Sequence, residues 1–98
     1  MLVITGTYIV KPGLRDEFLR AVIDQGIYAE FLKEAGNISY EYFFPYGKDD
    51  DVFFFERWES RDAWEAHKVA PHTVRLQAIK DEYLAGFTPG VLGELSGE

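Results

Sequence analysis

The 98-residue chain contains no cysteine. That excludes disulfides, thiolate metal centres and cysteine nucleophiles. Histidine is almost as scarce, at two residues. No apolar run approaches the roughly 20 residues of a membrane span. Cationic side chains are few: ten Lys and Arg face seventeen Asp and Glu, for a formal net charge of −7. Nucleic acid and anionic membrane surfaces are therefore unfavourable partners, because both would repel such a chain. No glycine-rich loop of the phosphate-cradling kind is present. The N-terminal MLVITGTYIV has neither a basic leader nor a small-residue cleavage site. It reads as a first strand rather than a signal peptide, and a soluble cytoplasmic protein is the expectation.

What the chain does contain is apolar and aromatic. At this length it is one domain, residues 1–98. Hydrophobic residues make up 47% and aromatics 16%, more than one small core needs, which points to a self-associating face. Leu2 to Val10 is rich in Val, Ile, Thr and Tyr and reads as a strand, ended by Lys11-Pro12-Gly13. Leu14 to Ala35 has helical spacing of Leu14, Phe18, Val22, Ala29 and Leu32, with Gly26 as a bend. Asn37 to Phe44 and Val52 to Glu59 read as a hairpin around the polar turn Pro45–Asp51, with Ile38, Tyr40, Tyr42 and Phe44 on one face. The run Asp49-Asp50-Asp51 lacks the alternation of a calcium loop and reads as a solvated turn. Ser60 caps a short helix to Val69, and Pro71 or His72 opens another to Leu84. Residues 86–98 form an irregular C-terminal strand and tail, short, at an edge or exchanged. The order βαββααβ gives an α+β, ferredoxin-like sandwich.

The sheet carries a further implication. A strand covered by helices on one side and water on the other should alternate. Val52 and Phe54 lie on one face of the third strand, yet Phe53 and Phe55 lie on the other, and Phe43 joins them from the second strand. A second copy of the same sheet is the simplest cover, which makes the protein a homodimer.

Four stretches together resemble the antibiotic biosynthesis monooxygenase family: KPG after strand one, RDEF in the first helix, GNISYE, and FFFERWESRDAWEAHKVAPH. The most specific part is Glu56, Trp58, Ser60, His67, Pro71 and His72, and the resemblance runs from Leu2 to about Leu84. It implies ferredoxin-like protomers packed sheet to sheet as a dimeric α/β barrel, each with a pocket between sheet and helices. It also implies oxidation of a small phenol or quinol by dioxygen with no metal, haem or flavin, the substrate anion itself reducing oxygen. The sequence departs from two branches: Phe54 stands where aromatic-polyketide oxygenases carry asparagine, and Gly6 stands near where haem degraders do. An isomerase or lyase of the same fold, and a non-catalytic ligand-binding module, are the alternatives.

His72, Glu56 and Trp58 are the expected catalytic residues. His72 follows Pro71 at a helix N-terminus, where the dipole favours neutral imidazole able to take a phenolic proton. Glu56 becomes a general base if burial raises its pKa, or else pairs with Arg57. Trp58 shares its face and either walls the pocket or sits in the core with its N–H satisfied. Tyr8, Tyr40, Tyr42, Trp64 and His67 are expected pocket-lining residues, with Asn37 at the mouth. Two histidines five residues apart, without an obvious third ligand, do not make a metal site.

Overall fold

In a computed structural model the structure describes residues 1–95; the last three residues of the expected tail lie outside it. The described residues form four strands and four helices in the order β1 (Leu2–Val10), α1 (Arg15–Asp24), α2 (Ile27–Lys33), β2 (Asn37–Phe43), β3 (Asp51–Trp58), α3 (Arg61–Val69), α4 (Pro71–Tyr83) and β4 (Leu84–Glu94). The strands form one antiparallel sheet in the order β2-β3-β1-β4. This is the ferredoxin-like α+β arrangement.

The helices cover the sheet face that carries Leu2, Ile4, Tyr8, Val10, Tyr40, Val52, Phe54 and Trp58, all buried. Against them pack Phe18 and Val22 of α1, Ile27 and Phe31 of α2, and Leu76 and Ile79 of α4. Burial along β3 alternates strictly from Asp51 to Trp58. The Ser60 cap is formed, its hydroxyl accepting the Ala63 N–H at 3.1 Å, and Pro71 opens α4.

Three local expectations are corrected. The helix expected from Leu14 to Ala35 is two helices, because Gly26 at φ +75° takes a left-handed conformation that an α-helix cannot continue through. Ile38 does not join Tyr40 and Tyr42: it is the extra residue where pairing jumps from Asn37↔Trp58 to Ser39↔Arg57, and it is exposed. The last strand is neither short nor delayed to residue 86, but starts at Leu84. It spans 11 residues along the β1 edge, with a register shift opposite Ile4–Gly6 that absorbs its Pro and Gly residues.

Gly6 shows how tightly this face is packed. A Cβ there would lie 2.6 Å from the Phe54 ring and 2.9 Å from Phe87. The absent side chain lets these two rings stack across β1, centroids 6.0 Å apart at 14°. On the opposite face Phe43 is exposed and Phe53 and Phe55 are half-buried, with no helix above them.

Candidate active site

The chemistry collects where β3 meets the α2–α3–α4 layer. Strand alternation turns Glu56 inward between Phe54 and Trp58, leaving it 5% exposed. Trp58, fully buried, donates its indole N–H to Glu56 Oε1 at 3.0 Å. Burial raises the Glu56 carboxyl from 4.5 to about 7; the Trp58 hydrogen bond and the Lys80 charge oppose that rise and do not cancel it.

His67, on α3, comes down onto this carboxylate. Its Nδ1 is 2.7 Å from Glu34 Oε2 and its Nε2 is 3.7 Å from Glu56 Oε1. Burial holds the imidazole below its ordinary pKa, although the Glu34 hydrogen bond and charge pull the other way. A neutral His67 therefore donates Nδ1–H to Glu34 and presents Nε2 as an acceptor toward Glu56. His72 Nε2 approaches the same Glu34 oxygen at 3.0 Å, off the line a hydrogen bond needs, and has no other partner among the described residues. Glu34, the residue closing α2, is thus the shared counter-charge of two imidazoles that α3 and α4 supply.

A cavity of about 570 Å³ opens beside this cluster, between the sheet and α3–α4. Tyr8, Tyr40, Phe54 and Glu56 form its floor; Trp64, His67, Leu76 and Lys80 form its roof. A second space of about 470 Å³ adjoins it along Leu84–Phe87 and shares Tyr8, Gln77, Lys80 and Phe87 with it. Burial raises the phenols of Tyr8, Tyr40 and Tyr42, all three further raised by neighbouring charge, so they act only as neutral hydrogen-bonding groups near neutral pH. Lys80, part-buried in the roof, is pushed down by desolvation.

Of the expected residues, Glu56, Tyr8, Tyr40, Trp64 and His67 line one cavity. His72 does not line it. It sits behind His67 against Glu34 and the Phe31 ring, 5.5 Å between centroids, because the first turn of α4 points that side chain at α2. Trp58 is not a wall but the packing beneath Glu56. Tyr42 packs on Tyr28 and Tyr40, its hydroxyl without a hydrogen-bond partner among the described residues. Asn37 is in the β2 bulge, its side-chain amide donating to the Ser39 carbonyl at 3.2 Å. Sequence reasoning missed Glu34, Lys80 and Phe87. It also found no third ligand for the histidines. Glu34 is that third group: its carboxylate and the two imidazoles place their donor atoms within 4.8 Å of one another.

The profile of the family described as Antibiotic biosynthesis monooxygenase matches residues 1–79. The uncharacterized Synechocystis protein sll1783 is 31% identical over 71 residues, 72% of this chain. The match spans only 47% of that relative's length. Among solved structures, Rv0793 from Mycobacterium tuberculosis superposes with a TM-score of 0.81 at 26% identity, over 98% of this chain and 96% of that one. PA3566 from Pseudomonas aeruginosa gives 0.81 at 21% identity, over 97% and 94%. A crystal structure described as an antibiotic biosynthesis monooxygenase gives 0.82 at 21%, over 99% and 100%.

Proposed function

This chain belongs to the antibiotic biosynthesis monooxygenase family, and on that premise we propose that it oxidises a small phenol or quinol-type aromatic with dioxygen, without a cofactor. The observation that carries this reading is Glu56: a buried carboxyl, poised near pH 7, on the floor of an aromatic cavity with His67 beside it. The ring of a flat substrate lies between Tyr8, Phe54 and Trp64. Glu56 takes the phenolic proton, and His67 stands next to it as the second proton acceptor. The phenolate gives up an electron to dioxygen far more readily than the neutral phenol does. Radical recombination forms a carbon–oxygen bond, and the resulting peroxide loses water to leave the quinone. Phenol and dioxygen thus become quinone and one water, with no outside reductant. A positioned base of this kind contributes about 10²- to 10⁴-fold.

The working unit in this proposal is a homodimer that covers the exposed sheet face at Phe43, Phe53 and Phe55. The experiment that tests the reaction is oxygen uptake with a panel of phenols and quinols, using protein dialysed against a chelator. Stoichiometric uptake with quinone formation is expected. Uptake that appears only when a divalent metal is restored would move the chemistry to Glu34, His67 and His72. Isomerised product without uptake would make the same acid–base pair an isomerase.

A further inference from the structure

Lys80 occupies an unusual position. It lies at the junction of the two adjoining cavities and lines both. Its ammonium sits 5.2 Å from the centroid of the Tyr8 ring, which forms part of the floor of each. The side chain is desolvated, and the fields of Glu56 and Asp81 both reach it. Yet no carboxylate lies within 4 Å of it among the described residues. Asp81 instead accepts a hydrogen bond from Gln77 at 2.8 Å. Lys68, the other lysine on the first cavity, is different: it pairs with Glu65 at 3.2 Å. A partly buried cation is normally paired, since desolvation without a counter-charge is unfavourable. Here the direction left open for a counter-charge is the cavity itself. The size of the space adds to this. One chamber alone falls within the roughly 300–1,000 Å³ that small ligands occupy, and the second extends it past Lys80 toward Phe87.

We propose that the site selects elongated aromatic acids, ring systems of two or more rings bearing an ionised hydroxyl or enol oxygen, which docks on Lys80 Nζ between the chambers. The inference deepens the oxidation proposed above and rests on it. The anion formed when Glu56 takes the proton is held beside a cation, and the rest of the molecule extends along Leu84–Phe87. In an otherwise acidic protein of net charge −7, this lysine, unlike the Glu65-paired Lys68, makes the cavity attractive to an anion.

The test compares 2-hydroxy-1,4-naphthoquinone, an anion at neutral pH, with its neutral methyl ether, by calorimetry on the full chain. The hydroxy compound should bind the wild type about 10- to 100-fold more tightly, the range expected of a charge-assisted contact. Lys80→Met should bring that ratio near one by weakening only the acid, and Lys80→Arg should keep most of it. Lys80→Gln serves as the polar variant if the Met protein folds poorly. A wild-type ratio near one, failure of both compounds to bind, or equal weakening of both by Lys80→Met overturns the inference. Oxygen uptake by the same protein variants with the panel of phenols and quinols separates the two readings. Selective binding without uptake refutes the oxidation and leaves Lys80 as the anion anchor, whereas uptake without selectivity refutes the anchor alone.

Discussion

Replacing Glu56 with Gln should stabilise the protein at neutral and alkaline pH, and not in acid. Gln keeps the volume of the side chain and an oxygen to accept the Trp58 N–H, now 3.0 Å from Glu56 Oε1. What it removes is a charge that the fold disfavours. The wild-type carboxyl titrates at about 7 in the folded protein against 4.5 ordinarily. Below pH 4.5 it is protonated in both states and contributes no difference. Between 4.5 and 7 the unfolded chain ionises while the folded one resists, so wild-type stability falls as pH rises. Above 7 both are ionised and the deficit is constant. At about 1.4 kcal/mol per pH unit, the full deficit is about 3 kcal/mol. For a domain of this size 1 kcal/mol moves the melting temperature by roughly 4–8 °C. Urea denaturation of both proteins from pH 4 to 9, at one fixed protein concentration, measures the difference directly. His67, held neutral by burial, loses stability as pH falls in both proteins and largely cancels. A difference between variant and wild type that is flat across pH, or that grows toward acid, would refute the buried-carboxylate reading.

Two other expectations follow from the same arrangement. His67→Ala should lower kcat about 10²- to 10⁴-fold. Replacing His72, which packs against Glu34 and Phe31, with Ala should act chiefly on stability, and a loss of kcat at His72 equal to that at His67 would return His72 to the chemistry. Light scattering at low micromolar concentration should give twice the chain mass. An obligate interface buries roughly 2,000 Å² in total, or about 1,000 Å² per protomer, about a sixth of the 5887 Å² each protomer exposes, and Phe53→Glu should abolish it; a wild-type monomer would sink the dimer.

The parts of the fold legible in the sequence were those fixed by neighbours along the chain. The Ser60 cap, Pro71 at the start of α4 and the inward run Val52, Phe54, Glu56, Trp58 each depend on a spacing of three residues or fewer. What was not legible depends on where separate elements meet. Nothing near Glu34 in sequence marks it as the acceptor for His67, 33 residues away. Lys80 reads as one more charge on the polar side of a helix until the sheet beneath it is in place. A helix N-terminus makes His72 a natural base in the sequence, but the orientation of α4 against α2, not the dipole, decides which cavity an imidazole reaches. Trp58 was correctly put on Glu56's face, yet alternation gives only the face. Depth under α3 decides between wall and core, and there the indole is fully buried.

The same geometry explains why a carboxylate sits in so unfavourable a place. A solvated glutamate with the ordinary carboxylate pKa would stay ionised throughout the physiological range and be a weak base toward a phenol. Burial between Phe54 and Trp58 raises Glu56 to about 7, where a substantial share of molecules carries the base form at neutral pH and that form is strong enough to compete for a phenolic proton. Trp58 and Lys80 limit the rise. Without them burial would push the group higher still and leave little carboxylate to act. The buried indole, absent from the cavity wall, therefore serves the chemistry through one hydrogen bond. Trp58→Phe removes that bond while keeping an aromatic ring in the core, so it belongs with the acid–base variants rather than with those that alter substrate packing.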